Sequence, residues 1–303
     1  MIDSICSYLE TQERISRNYL KVDFDGTDNL TGEKRLYAKL GNLKLKQINN
    51  NLNVSGSLTK YYHNNNLINL TRKETEIAIE KISDELKVNY KNSRLFSVDI
   101  AFNLIMNQDV KKYFHCLGDM KYLIKGNIND TIYFENSRKK ITFYNKYMEM
   151  INNKIIIPEE YRQFRNNILR YELRFKKRLK SEFKKSLYIS DLYDDDFLRK
   201  SIEKWKYNYF AIYKINKLNI INMEKLTFTE LHKLIFSKLI IENGLDSVLQ
   251  EIDSLRSNCK TSTEASRCKK YIKNLLNNKK FSETNELIRE LDEKIIKKVE
   301  EYR

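Results

Sequence analysis

Three short runs carry the residues that could do chemistry. RLFSVDIAFNL (94–104) holds Asp99. KITFYNKY (140–147) holds Tyr144 and Lys146. NILRYELRFK (167–176) holds Arg170, Glu172 and Arg174. Each run alternates apolar and polar residues, as a half-buried strand requires, because successive side chains point to opposite faces. Val98, Ile100, Phe102 and Leu104 share one face with Phe96, and Asp99 lies on the other with Ser97, Ala101 and Asn103. Leu169, Tyr171, Leu173 and Phe175 oppose Arg170, Glu172, Arg174 and Lys176, and Ile141 and Phe143 oppose Thr142, Tyr144 and Lys146. As neighbours in one antiparallel sheet, the three would make a core face and a face crowded with carboxylates, cations and a phenol. That set suits metal-assisted phosphoryl transfer. A hard cation takes carboxylate oxygens, and a tyrosine oxygen can attack phosphorus and store the bond as an ester. A free phenol has a pKa near ~10, so Tyr144 needs a proton acceptor or a cation beside it, and Lys146 sits two residues on. The plainer reading of the same pattern is a solvated face of Arg–Glu pairs.

The elements around these runs give an α+β chain. Residues 1–62 contain alternating runs (LKVDFDG, RLYAKLG, LKLKQI, LNVSGSLTKYY) separated by Gly, Asn and Asp turns. Thr71 starts a helical pattern through Val88, and a second short helix is expected near 108–118. Strands follow near 131–135, 139–147 and 167–177. Asp194–Asp196 open a long helix, where acids meet the positive end of the helix dipole. After residue 216 every segment has helical spacing, with Thr227, Ser262 and Ser282 as expected caps. We therefore expect an antiparallel sheet with helices packed on one face in residues 1–215, and a smaller all-helical domain in 216–303.

The 303 residues carry a formal net charge of +15, and it is unevenly spread: segment 137–185 has 15 basic and 5 acidic residues, whereas 216–303 has 17 and 14. A concentrated basic patch fits a polyanion, since each neutralised phosphate releases counterions. No apolar run is long enough to span a bilayer, so no membrane partner is expected. The N-terminal residues lack a signal-peptide pattern, and the four scattered cysteines read as free thiols, which points to a reducing cytoplasm. Three dispersed histidines argue against zinc.

The chain resembles the gene II/X-type replication initiators of filamentous phages and related phages and plasmids. The matching pieces occur in order: MIDS at the start, GSLTK (Gly56–Lys60) before an Asn-containing turn, SVD (Ser97–Asp99), YNKYME (Tyr144–Glu149) and RYELR (Arg170–Arg174). The resemblance implies a tyrosine nickase of rolling-circle replication. It would cut one strand at an origin, hold the 5′ phosphate on tyrosine, leave a 3′-OH and later rejoin the displaced strand. It makes Tyr144 the covalent residue and Lys146 its catalytic companion. Asp99, Glu172 and Glu149 become the acids that hold Mg²⁺ or Mn²⁺. Lys60, Arg170, Arg174, Lys176, Lys177 and Arg178 are then expected on the DNA backbone. The expected partners are origin DNA, single-stranded or supercoiled, and the host replication machinery. Two departures stand out: Ser97 occupies the place of a family arginine, and Asn64–Asn66 replace a glycine-containing turn. His63, in that turn, reads as a surface histidine and Tyr147 as a packed one.

Two rival readings follow from the same residues. A non-enzymatic origin- or operator-binding protein would bind DNA and form no covalent adduct. A tyrosine recombinase would need an Arg/His/Arg cluster on a mostly helical domain, against both the strand pattern and the scarcity of histidine.

Overall fold

The computed structural model describes all residues except 13–14, 129, 216, 219–225, 262, 278–281, 284 and 303. The expected cap Ser262 and most of the expected junction at 216–225 lie outside the described residues, as does the side chain of Ser282. The chain divides into two compact units. One comprises 1–110, 122–209 and 296–303, and the other 111–121 and 210–295.

The first unit is built on one antiparallel sheet. Its strands are β1 (Ile2–Glu10), β2 (Lys21–Thr27), β3 (Lys34–Leu40), β4 (Leu43–Ile48), β5 (Asn51–Ser57) and β6 (Arg94–Ile105). A seventh strand, β7 (Leu117–Met120), belongs to the other unit. The sheet is completed by β8 (Ile124–Ile128), β9 (Thr131–Glu135), β10 (Lys139–Asn145) and β11 (Ile168–Phe175). Their order is β2-β3-β4-β5-β1-β6-β11-β10-β9-β8. The expected adjacency of the 94–104, 167–177 and 139–147 runs is therefore met, with β11 in the middle. Strands β1 and β8, which the sequence did not single out, extend the sheet on either side.

The helices of this unit are α1 (Leu58–His63), α2 (Arg72–Leu86), α4 (Lys146–Asn152), α5 (Leu179–Phe183) and α6 (Asp195–Phe210); α3 (Val110–Phe114) lies between β6 and β7. Thr71 and Glu74 close a capping box on α2, satisfying the orphan N–H groups of its first turn. Asp194 accepts a hydrogen bond from the Phe197 backbone N–H at 3.0 Å, so the acidic run caps α6 as its position suggested. Helix α6 covers the apolar face of the strands that carry the site. Trp205 stacks on Tyr171 with ring centroids 4.5 Å apart and meets Phe102 edge-on at 4.9 Å, and Tyr171 in turn stacks on Phe143 at 4.6 Å. The Tyr171 hydroxyl donates to the Trp205 carbonyl at 2.8 Å. All four side chains are fully buried. Aromatic pairs of this kind contribute about 0.5–1.5 kcal/mol beyond their burial, and they fix the register from which the opposite face is displayed.

One phase prediction fails at the start of β6. Phe96 is 45% exposed, while Leu95 is buried at 3%. Cys6 pairs with Ser97 and Ser7 with Leu95, so Phe96 is an extra residue in a β-bulge. A bulge shifts the inside–outside alternation by one residue, which turns Phe96 onto the polar face.

In the second unit, β7 pairs with β12 (Ile212–Lys214). The helices α7 (Phe228–Asn243), α8 (Leu245–Ser254) and α9 (Glu264–Leu276) enclose Ile240, Leu245, Leu249, Ile272 and Leu276. Thr227 caps α7 with Glu230 in a capping box, as its spacing predicts. Helix α10 (Glu286–Glu300) belongs to this unit up to Ile295, and along that part Leu291 and Ile295 are buried and Leu287 is half-buried.

Candidate active site around Tyr144

The polar face of β10, β11 and β6 gathers most of the predicted residues. Register sets the arrangement: Tyr144 lies opposite Arg170, Thr142 opposite Glu172 and Asp99 opposite Arg174. Two subclusters result.

The first centres on Arg170, which is fully buried. Its Nε donates to Glu172 Oε1 at 2.7 Å, and one terminal nitrogen donates to Asp3 Oδ2 at 2.5 Å. The other donates to the Asn66 carbonyl at 3.0 Å and to Asn103 Oδ1 at 3.1 Å. Glu172 Oε1 also accepts from the Tyr144 hydroxyl at 2.8 Å. The phenol is half-buried, and its pKa is held well above 10, first by burial and then by the Glu172 charge. Tyr144 is thus protonated at rest and aims its proton at a carboxylate. Arg170, expected on the DNA backbone, has no face toward solvent, and its guanidinium organises the carboxylates instead.

Asp3 is the residue that sequence reasoning missed. Its carboxyl is buried, and burial alone would raise its pKa. The Arg170 charge and hydrogen bonds from Ser57 and Asn66 outweigh that and hold it below the ordinary carboxylate range. The available signal was a lone acid in an otherwise apolar strand start, MIDSI, within a piece of sequence already matched to a family.

The GSLTK run explains itself at this point. Gly56 has φ +146°, and a side chain there would press within 3.1 Å of the Asn42 carbonyl. Ser57 donates to Asp3 Oδ1 at 2.6 Å and caps α1 by accepting from the Lys60 N–H at 3.0 Å. Thr59 donates to the Ile2 carbonyl at 2.8 Å. Together these bonds fasten the helix that carries Lys60 to the strand that carries Asp3.

The second half of YNKYME departs from the strand prediction. Asn145 accepts from the Met148 N–H at 3.1 Å and N-caps α4, so the strand stops one residue after Tyr144. Lys146 is the first residue of that helix, fully buried, with Nζ 2.5 Å from Glu149 Oε2. Burial pushes its pKa down and Arg170 adds to the fall, while Glu149 opposes them. Lys60 Nζ lies 3.8 Å from Glu149 Oε1. Tyr147 packs with Leu67, Met150 and Ile168, away from the chemistry. His63 sits 3.5 Å from Glu74, outside the cluster.

Asp99 forms the other subcluster. Both its oxygens accept from Arg174, at 2.5–2.9 Å. Burial nevertheless pushes its carboxyl up to about 7, against the pull of Arg174. The Arg174 side chain is 48% exposed, so it alone of the two faces solvent. Lys176 is bound to Glu135 at 2.7 Å, and Lys177 and Arg178 are exposed beyond the end of β11.

The three carboxylates expected around Mg²⁺ or Mn²⁺ do not form one donor set. Asp99 is closed by a guanidinium, Glu172 is held by Arg170 and Tyr144, and Glu149 by Lys146 and Asn153. Among the described residues no group of three or more His, Cys, Asp or Glu converges. A divalent ion would have to displace a cation already seated on its ligand, so this arrangement does not fit one.

What the cluster can do is hold a phenol against a carboxylate with two lysines near by, on a sheet whose rim is basic. No helix among the described residues is long and apolar enough to cross a membrane. No curated protein matches the chain. A family model that describes the N-terminal part of a phage replication-associated protein matches residues 1–206, the span that holds every residue of this cluster, and the chain belongs to that family of phage replication-associated proteins.

Proposed function

We propose that this protein nicks and rejoins one DNA strand at a replication origin through a phosphotyrosine at Tyr144. The observation that carries the reading is the 2.8 Å hydrogen bond from the Tyr144 hydroxyl to Glu172, with Glu172 itself clamped by the buried Arg170. A phenol with a raised pKa is a poor nucleophile until its proton is removed during attack. Glu172 is placed to take that proton. The phenolic oxygen then bonds to phosphorus, the bond to the 3′ oxygen breaks, and that oxygen leaves as a hydroxyl on taking up a proton. Lys60, 3.8 Å from Glu149, is the cation we assign to the reacting phosphate, where it offsets the growing negative charge, and Lys146, buried on Glu149, acts through that carboxylate. Arg170 acts through Glu172 as a positioning residue. Reversal of the same steps by a free 3′-OH rejoins a strand and releases the tyrosine.

The test is adduct formation. Incubating the full chain with origin-bearing supercoiled plasmid and with single-stranded oligonucleotides from that origin should give a protein–DNA species that survives SDS. Tyr144→Phe should form none, and Glu172→Gln should form it far more slowly, by about 10²–10⁴-fold for loss of a general base. An adduct that persists in Tyr144→Phe refutes the assignment. Origin binding with no adduct from the wild type would favour a non-enzymatic origin-binding protein.

A further inference from the structure

The sheet face that displays Tyr144 continues without a break across β1, β5, β4, β3 and β2, and beyond Asp3 and Ser57 its side chains there take no part in the site described above. Register places six of them in one row: Phe24, Tyr37, Lys46, Asn53, Tyr8 and Arg94 face one another in turn across β2, β3, β4, β5, β1 and β6. A neighbouring row runs Lys39, Lys44, Ser55, Cys6 and Ser97. Two residues beyond Ser97 on β6 lies Asp99, which holds Arg174. The rows therefore lead into the site.

These side chains have the composition of a surface for an unpaired nucleic-acid strand. The aromatic rings come in two clusters. Phe24 and Tyr37 are 5.9 Å apart, and Tyr8 and Phe96 are 6.1 Å apart. Phe24 is 48% exposed and Phe96 45% exposed. Cations flank both: Lys46 lies 5.6 Å from the Tyr37 ring centroid and Arg94 lies 5.7 Å from that of Phe96. The bulge at Phe96 is what turns that ring outward. Between the clusters runs a groove of about 500 Å³ lined by Cys6, Tyr37, Lys39, Lys44, Lys46 and Asn53. Asp23 also borders it and pairs with Lys39 at 3.7 Å. Exposed rings give bases a stacking surface, and lysines between them meet the phosphates.

We infer that the outer face of β2–β5 and β1 is a track for single-stranded DNA, stacking bases on Tyr37, Phe24, Tyr8 and Phe96 and meeting phosphates with Lys39, Lys44, Lys46 and Arg94. The inference rests on the nicking reading for its choice of strand: a strand that Tyr144 attacks has to be unpaired around the scissile phosphate, and its continuation then lies beside the face. Five interstrand steps, roughly 24 Å, separate β10 from β4, so the track engages nucleotides beyond those at the phenol. Duplex DNA fits the face less well, because its bases are stacked on each other and cannot lie on the rings.

The experiment compares strand lengths. Fluorescence anisotropy of the full chain should show much tighter binding to a thymidine oligonucleotide of roughly 20 nucleotides than to one of roughly 6. Tyr37→Ala should weaken the long strand roughly 5- to 150-fold, the loss that corresponds to one stacked base, and leave the short one unchanged. Lys44→Ala with Lys46→Ala should lower the slope of log affinity against log salt by roughly 1.4. Circular dichroism melts should match wild type, since the replaced groups sit on the solvent side of the sheet. Long-strand affinity unaltered in both variants overturns the track, as does equal binding of long and short strands by the wild type. Equal loss on a duplex of the same length would make the face a general electrostatic surface and also overturn it. Adduct formation is scored separately with Tyr144→Phe. Binding that survives while no adduct ever forms defeats the nicking reading and leaves the track standing.

Discussion

Replacing Arg170 by Met separates two roles for that residue. If it contacts DNA, the protein should fold normally and bind DNA weakly. If it holds the site together, the damage is to folding. Arg170 is fully buried, and its guanidinium donates to two carboxylates, one side-chain amide and one backbone carbonyl. Methionine has similar reach and no charge, so Asp3 and Glu172 lose their shared cation while space stays filled. Breaking a buried ion pair from one side costs about 3–5 kcal/mol, a large share of the ~5–15 kcal/mol that holds a typical domain folded. At about 2–4 °C per kcal/mol for a unit of this size, the melting temperature should fall by roughly 6–20 °C. The loss should also depend on pH. Without Arg170, burial dominates at Asp3 and its carboxyl takes up a proton more readily. The deficit should therefore be greatest near pH 8 and shrink toward pH 5. Asp3→Asn combined with Arg170→Met should recover part of the loss, with a coupling of about 0.5–3 kcal/mol as expected for residues in one network. Thermal and urea unfolding of the four proteins of this cycle, each at two pH values, is the assay. A loss below about 1 kcal/mol, together with a salt slope for DNA binding reduced by about 0.7–0.9, would refute the reasoning and return Arg170 to the DNA backbone.

Two further outcomes follow from the same geometry. Burial raises the Asp99 carboxyl from an ordinary 3.8 to about 7, so the folded state binds that proton more tightly than the unfolded chain. Its contribution to stability should be complete below about pH 4, decline between about 4 and 7 and be lost above that; Asp99→Asn should flatten the melting temperature over this window, and an unchanged profile would contradict the burial argument. Magnesium at millimolar concentration should leave the melting temperature of the DNA-free protein unchanged, because each candidate carboxylate is already closed by a cation. A dose-dependent rise that Glu149→Gln or Asp99→Asn removes would show that a cation does displace those partners.

The sequence carried a good deal of this. Alternation in 94–104, 139–147 and 167–177 was enough to separate Tyr144 and Glu172 from Phe143 and Tyr171, because a strand has a period of two and the apolar core face holds no unpaired charge. The capping boxes at Thr71 and Thr227 were legible because the bonds close within four residues. Three things were decided only in the tertiary structure. Lys146 left the strand because Asn145 capped a helix, a competition between two local structures that the pattern of apolar residues does not settle. Phe96 turned outward because β1 and β6 pair with a bulge, and a bulge depends on the partner strand. Arg170 turned from a surface cation into the centre of a buried network because Asp3, Asn66 and Asn103 arrive from three distant segments. A residue's type and its strand phase can be read along the chain, whereas the burial of a charge depends on which remote carboxylates meet it, and that is known only once the sheet has closed around them.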